Sequence, residues 1–186
     1  RDYGRSRGLG DVYKRQFTRV LRGHIALATA RFPTGTNGMQ LDTLARAPLW
    51  AAGQDFDHGT GHGVGSYLSV HEGPQRISKG GMVPMEPGMI VSNEPGYYAA
   101  GRFGIRIENL QYVRPAKNTG DRHRHMLEFG ALTLAPIDRR LIDQSALTGD
   151  EKTWLNTYHA EVLAKIKPRV DSGTAKWLER ACRPMR

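Results

Sequence analysis

The chain has 186 residues, which allows one ordinary domain with a buried core and excludes two full domains. No apolar run is long enough to cross a bilayer, there is a single cysteine, and no secretory signal pattern is present, so we expect a cytoplasmic protein without a membrane partner. The formal net charge of +9 is spread along the chain, which favours a solvated basic surface over a phosphate-binding face, and we predict no nucleic-acid partner.

Residues 1–16 show no apolar periodicity and carry no helix cap, so we interpret them as a non-native head that lies outside the domain. We expect the domain to begin at Phe17, where apolar residues start to recur at helical spacing. The spacing predicts a helix as far as Ala28, and Pro33 and Gly35 end the pattern.

The central part of the chain changes from helical to strand-like patterns. Apolar residues over 41–52 predict a second helix, with Asp42 in its first turn and Gly53 just past its end. Residues 54–114 show short alternating runs separated by glycine and proline, which predict strands and tight loops. Another strand is predicted over residues 126–135.

The C-terminal part has helical patterns again. Thr148-Gly-Asp-Glu151 is a capping box, which predicts a helix that continues to Ile166 and stops before Pro168. A last short helix is predicted over residues 175–181. The layout is therefore α/β, with helices, a twisted strand region and helices in turn.

Glycines surround two histidines in His58-Gly-Thr-Gly-His62-Gly-Val-Gly. If this stretch is extended, His58 and His62 face the same side, because strand side chains alternate. The glycines would leave that side open and let the backbone approach a ligand or metal closely. A pair of histidines at this spacing is a weak metal signal by itself, so surface or hydrogen-bonded histidines stay the alternative.

Two carboxylates lie in segments that fit the walls of a polar site. Arg106 and Glu108 alternate with isoleucines and so share one face of a predicted strand, while Glu94 closes another strand before a proline. A histidine with two carboxylates suits a divalent metal such as manganese, cobalt or zinc. Two carboxylates balance only half the charge of two divalent ions, so a dinuclear site would need further anionic ligands. The alternatives are an exposed ion pair and an ordinary strand-end carboxylate.

Four motifs taken together make the pattern specific. In chain order they are His58-Gly-Thr-Gly-His-Gly-Val-Gly, Val70-His-Glu-Gly-Pro, Ser92-Asn-Glu-Pro-Gly-Tyr-Tyr and Gly104-Ile-Arg-Ile-Glu-Asn. From Phe17 to its end the chain resembles Xaa-Pro aminopeptidase, also called aminopeptidase P, in the long form found in eukaryotic cytosol and in many bacteria. The resemblance implies the C-terminal portion of a pita-bread α/β catalytic domain over residues 17–136 and a helical C-terminal extension over residues 137–186.

The resemblance also implies roles for the site residues. The residues at the family's metal-ligand positions are His62, Glu94 and Glu108. They would belong to a site for two divalent metal ions, usually manganese, where a hydroxide bridging the ions attacks the peptide carbonyl and Glu94 takes the water's proton. His58 and His71 would contact the substrate and stabilise the tetrahedral intermediate, and Arg106 would orient the carboxylates near the metals.

The chain departs from the family's pattern in one respect that governs its expected activity. The family's two aspartate ligands, in contexts such as Asp-Ser-Gly-x-Tyr and Thr-Thr-Asp-x-Thr-Arg, and a further histidine have no counterpart in the sequence. We therefore predict that this chain is an inactive fragment that binds at most one metal ion weakly. The complete protein would remove the N-terminal residue from peptides with proline in second position and would commonly form a homodimer.

Two other interpretations stay open. One is a non-catalytic pita-bread module that binds peptides and has lost its metals, although the six site residues present here argue against such a loss. The other is a prolidase or creatinase relative. Hydrolysis of an Xaa-Pro-Xaa tripeptide rather than an Xaa-Pro dipeptide would separate aminopeptidase P from prolidase.

Overall fold

The computed structural model describes residues 9–66, 69–117, 120 and 123–185, and the chain forms two compact units. One unit is residues 20–133, and the other combines the chain up to Arg19 with residues 134–186. The helices are α1 (Leu9–Ala28), α2 (Gly38–Trp50), α3 (Gly149–Ile166) and α4 (Ser172–Ala181). The strands are β1 (Arg31–Pro33), β2 (Gly61–His62), β3 (Arg76–Ile77), β4 (Ile90–Asn93), β5 (Gly96–Ala99), β6 (Phe103–Arg106), β7 (Asn109–Pro115) and β8 (Met126–Ala131). Among the residues so described, no helix is long and apolar enough to cross a membrane.

Helix α1 begins at Leu9 rather than at Phe17, so it runs through part of the segment interpreted as a head. The rings of Tyr13 and Phe17, one turn apart, have centroids separated by 6.4 Å, and Gln16 is buried. The predicted start was too late because apolar residues are sparse before Phe17, and a periodic pattern needs several of them. The interpretation of residues 1–16 as a non-native head stays a prediction.

The unit of residues 20–133 is built on a four-stranded antiparallel sheet in the order β1-β8-β7-β4. The register pairs Val113 with Phe129 and Val91 with Gln111. Strand β1 was not predicted, because its proline read as a helix terminator, but a proline is tolerated in an edge strand. The core joins side chains from α1, α2, all four strands of this sheet, β3 and the segment between β3 and β4: Leu27, Phe32, Leu41, Ala45, Ile77, Met85, Val91, Val113, Leu127 and Phe129.

Helix α2 begins at Gly38, before the start predicted from its apolar pattern. Asn37 and Gln40 form a capping box in which each side chain accepts a hydrogen bond from the other residue's backbone N–H. Asp42 therefore lies beyond the first turn, and its carboxylate is buried against the guanidinium of Arg46 instead of facing the helix N-terminus. The sequence interpretation of Asp42 as a first-turn residue was wrong.

The region of residues 54–114 contains short strands, as predicted, and glycine permits two of its segments to approach closely. A Cβ atom at Gly61 would lie 1.9 Å from the carbonyl oxygen of Ser92 in β4, so only glycine allows this contact. Glu94 N donates to Thr60 O at 2.7 Å beside it. The glycine-rich segment that carries His62 is thereby aligned along the strand end that carries Glu94.

The second unit confirms the predicted capping box of α3. Thr148 and Glu151 exchange backbone and side-chain hydrogen bonds at its start. Helix α4 begins at Ser172 instead of residue 175, because the side chain of Asp171 caps it. Inside this unit, the imidazole of His159 is fully buried in α3 and its Nε2 accepts a hydrogen bond from the backbone N–H of Ile137 at 3.0 Å.

We expect His159 to make the unfolding free energy depend on pH. Burial, together with the positive charge of Arg139, lowers the pKa of His159 to about 4. Since the folded pKa lies below the ordinary value, the stability contributed by the neutral ring is fully present above about pH 6.5 and is lost as the pH falls toward 4. The expected loss is roughly 2–3 kcal/mol. Urea unfolding followed by tryptophan fluorescence at several pH values measures it.

A His159→Gln variant is the control for this titration, because its amide can still accept from Ile137 N and does not ionise. Burial also lowers the pKa of His24 to about 4, so the variant retains the pH dependence that His24 contributes. The expected result is a shallower pH profile for the variant. Superimposable profiles for the two proteins would show that His159 is not the titrating group.

Candidate metal centre

Three predicted ligands from distant segments meet in the unit of residues 20–133. His62 lies in β2, Glu94 follows β4, and Glu108 lies between β6 and β7. Each offers a ligand atom, and these atoms all lie within 4.8 Å of one another. In the described part of the chain, no other His, Cys, Asp or Glu joins this group.

The sequence prediction placed Glu108 on a strand face with Arg106, but β6 ends at Arg106 and Glu108 lies just past it. The segment is nevertheless aligned with Glu94, because Ile107 N donates to Pro95 O at 3.3 Å. Glu108 is exposed, whereas Glu94 is buried. The extended stretch predicted from His58 to Gly65 is also shorter, since only Gly61 and His62 form a strand.

The tautomer of His62 fits a metal ion on its Nε2 atom. Nδ1 lies 2.9 Å from the carbonyl oxygen of Gly63, and because a carbonyl can only accept, Nδ1 carries the hydrogen. In the neutral ring Nε2 is then the nitrogen without a hydrogen, and it lies 3.2 Å from Oε1 of Glu94, so that in this form two acceptors face each other. A divalent cation beside both atoms would satisfy the two lone pairs. An imidazole and two carboxylates are ligands that such ions prefer, and the residues present therefore fit one divalent metal.

The two oxygens of Glu94 have different partners. Oε1 accepts a hydrogen bond from the hydroxyl of Ser92 at 3.0 Å, and Oε2 lies 3.4 Å from Nη1 of Arg106. Arg106 thus contacts the carboxylate that the resemblance predicted it to orient. Ser92 was not predicted as a site residue, because a serine inside a strand has no distinguishing pattern.

Tyr98 in β5 joins His58 to Arg106 and was not predicted as a site residue. Its hydroxyl accepts from Nε of Arg106 at 3.0 Å and lies 2.9 Å from Nε2 of His58. His58 Nδ1 faces the carbonyl oxygen of Gly59 at 2.8 Å, so Nδ1 carries the hydrogen and Nε2 accepts from the tyrosine. Tyr98 thereby links His58 to Arg106, which in turn contacts Glu94. The available signal was the Tyr-Tyr pair after Glu94, which does not reveal its partners.

His71 lies beside the ligand group. Its ring centroid is 4.1 Å from that of His62, with the rings tilted by 63°. A cavity of about 390 Å³ opens next to both histidines, and Arg76 and Met82 contribute to its wall. The cavity offers space for a peptide segment beside His62 and His71.

A buried guanidinium supports the segment that carries His58. Arg46 in α2 is 1% exposed and donates to the carboxylates of Asp42 and Asp55 and to the backbone oxygens of Phe56 and His58, at 2.7–2.8 Å. Burial opposes its charge, but the hydrogen bonds to the two aspartates outweigh burial and raise the pKa of Arg46 above its ordinary value. The arginine therefore stays charged and anchors the turn before β2.

Comparison with known proteins agrees with this arrangement. The sequence matches metallopeptidase family M24 over residues 2–115 and the C-terminal region of that family over residues 125–185. The chain belongs to metallopeptidase family M24. The recognition of an aminopeptidase P-like sequence is confirmed by the relatives that follow.

A probable Xaa-Pro aminopeptidase P of Laccaria bicolor is 50% identical over 183 residues, which cover 94% of this chain and 28% of the relative. Aminopeptidase P2 of Arabidopsis thaliana is 54% identical over 177 residues, or 92% of this chain and 25% of the relative. The chain therefore spans about a quarter of the length of these curated relatives.

The fold is shared with a solved structure. The X-prolyl aminopeptidase of Caenorhabditis elegans, described as a cytosolic enzyme with a di-nuclear active site, superposes with a TM-score of 0.87 and 44% identity over 94% of this chain and 29% of that one. This confirms the predicted pita-bread α/β fold class. The individual roles predicted for His58, His62, His71, Glu94, Arg106 and Glu108 stay predictions.

Proposed function

We propose that this chain is the C-terminal part of the catalytic domain of a metallo-aminopeptidase that removes the N-terminal residue from peptides with proline in second position. The observation that carries the proposal is the convergence of His62, Glu94 and Glu108, with ligand atoms within 4.8 Å of one another. The high identity to proteins named Xaa-Pro aminopeptidase P supports the substrate class.

The side chains of the site suit peptide hydrolysis. When bound, a divalent ion lowers the pKa of water and polarises the peptide carbonyl. Glu94 is the general base that takes the proton from water, and Arg106 keeps one oxygen of Glu94 turned away from His62. His58, whose ring nitrogens are bonded to Gly59 O and to the Tyr98 hydroxyl, contacts the substrate, and His71 donates a hydrogen bond that stabilises the oxyanion of the tetrahedral intermediate. Tyr98 orients His58 through their hydrogen bond.

The complete site takes two ions, with manganese as the proposed metal, but this sequence offers ligands for one. Two carboxylates balance one divalent ion, and the family's two aspartates have no counterpart here. We therefore propose that the chain by itself binds one ion weakly and does not hydrolyse peptides. The same proposal includes three further points. The chain divides into a head of residues 1–16, a catalytic portion of residues 17–136 and a helical extension of residues 137–186. The full protein is cytoplasmic and forms a homodimer.

Calorimetric titration of the 186-residue chain with Mn²⁺ tests the metal stoichiometry. The expected result is a single binding event at one ion per chain, with no release of the first residue from an Xaa-Pro-Xaa tripeptide. Two ions per chain with turnover would contradict the proposed inactivity of the isolated chain. No binding at all would contradict the metal site itself.

A chimaera tests the proposed activity. The matching C-terminal segment of the C. elegans enzyme is replaced by residues 17–185 of this chain, which supplies the remaining ligands from the nematode portion. We expect Mn²⁺-dependent cleavage of Xaa-Pro-Xaa, and loss of cleavage when the same chimaera carries Glu94→Gln. Cleavage of Xaa-Pro dipeptides alone would favour a prolidase, and peptide binding without cleavage would favour a binding module.

A further inference from the structure

The hydroxyl of Ser92 contacts two of the proposed ligand-bearing segments at once. Its Oγ accepts a hydrogen bond from the backbone N–H of His62 at 2.9 Å and donates to Oε1 of Glu94 at 3.0 Å. The side chain is fully buried in β4. Water therefore does not compete for either bond.

The Ser92 hydroxyl has a single hydrogen, so its two hydrogen bonds can run in only one direction. Because His62 N can only donate and the carboxylate can only accept, the hydroxyl hydrogen must point to Glu94. Oε1 is thereby held on the side of His62 Nε2, at 3.2 Å, while Oε2 faces Arg106. The carboxylate cannot rotate without losing the bond from Ser92.

Close packing fixes the position of the hydroxyl itself. A Cβ atom at Gly61 would lie 1.9 Å from Ser92 O and 3.4 Å from Ser92 Oγ, so the backbones of β2 and β4 are in direct contact here. Gly63 and Val91 form a bridge next to this contact. The serine is thus placed by two packed segments rather than by a mobile loop.

We propose that Ser92 is a positioning residue for the metal site. It sets the distance between His62 and the Oε1 oxygen of Glu94 before an ion arrives, so that the ion does not have to order the carboxylate. This inference rests on the proposed function, since it requires His62 and Glu94 to be metal ligands. Residues that orient ligands typically contribute 10- to 100-fold to metal affinity.

The test compares Mn²⁺ affinity, measured by calorimetry, in the 186-residue chain and its Ser92→Ala variant. We expect the variant to bind roughly 10- to 100-fold more weakly. The matched control is Thr133→Val, because Thr133 Oγ1 accepts from Leu110 N at 2.8 Å in the same unit and is not in the ligand group. It loses the same kind of backbone hydrogen bond, and its metal affinity should not change.

An isosteric pair covers the case in which Ser92→Ala does not fold by circular dichroism. Ser92→Thr retains the hydroxyl and Ser92→Val has the same shape without it, so threonine should restore affinity and valine should not. The visible absorption of bound Co²⁺, which reports ligand geometry, should change with Ser92→Val and not with Ser92→Thr.

The outcomes separate this inference from the proposed function. If the unmodified chain binds no Mn²⁺, the metal site itself fails, and Ser92 has nothing to position. If the unmodified chain binds and Ser92→Ala binds equally well, or if Thr133→Val weakens binding as much, only the role of Ser92 is overturned.

Discussion

Replacing Glu94 by glutamine is expected to abolish measurable Mn²⁺ binding by this chain. The substitution keeps the shape of the side chain and an oxygen that can accept from Ser92, but it removes one of the two carboxylate charges in the ligand group. Since loss of a residue that only orients a ligand costs 10- to 100-fold, loss of the ligand charge should exceed roughly 100-fold. Calorimetric titration at one pH measures the difference.

Glu128→Gln is the matched control for this experiment. The side chain of Glu128 is 12% exposed, against 10% for Glu94, and it also pairs with arginine, at 2.9 Å from Arg114. The substitution removes an equally buried charge from the same unit without touching the ligand group. Equal loss of Mn²⁺ affinity in both variants would mean that net charge, and not ligation by Glu94, governs binding.

Replacing Arg46 by methionine should destabilise the unit of residues 20–133 by about 3–5 kcal/mol. Methionine approximates the volume of the aliphatic stem, but it leaves Asp42, which is 3% exposed, with a buried charge and no cationic partner. The backbone oxygens of Phe56 and His58 also lose their donor. Urea unfolding monitored by circular dichroism gives the change in unfolding free energy.

Arg114→Met provides the comparison, because Arg114 pairs with Glu128 but its side chain is 42% exposed. We expect it to cost less than about 1 kcal/mol, as exposed ion pairs do. Arg46→Lys should recover only part of the stability, since one ammonium cannot replace a fork that donates from three nitrogens. A loss for Arg46→Met no larger than that for Arg114→Met would show that Asp42 is not left with an unpaired charge.

The sequence predicted those parts of the site that local motifs describe. The resemblance identified His62, Glu94 and Glu108 as a group, and the structure brings them together. The contact between Arg106 and Glu94 was expected in the same way. In each case a short motif surrounds the residue, so recognition did not depend on knowing which segment lies opposite.

The residues that connect these motifs were missed. Ser92, Tyr98 and Arg46 act through partners far away in the chain, such as His62 for Ser92 and His58 for Tyr98. Asp42 and Arg46 at i,i+4 spacing were a signal that could have been read as a helical ion pair. Their burial and their link to residues 55–58 were not encoded in that spacing.

Taken alone, the sequence determined the helices, the capping box at Thr148, the strand-rich middle and the family's motifs, because these depend on hydrogen bonds and side-chain periodicity within a few consecutive residues. The tertiary structure decided where α1 begins, the pairing of β1 with β8, and the approach of β2 to β4 at Gly61. Those features depend on which distant segments are packed together. The geometry of the metal centre belongs to this second group, since the distance between His62 and Glu94 is set by a hydroxyl that touches both.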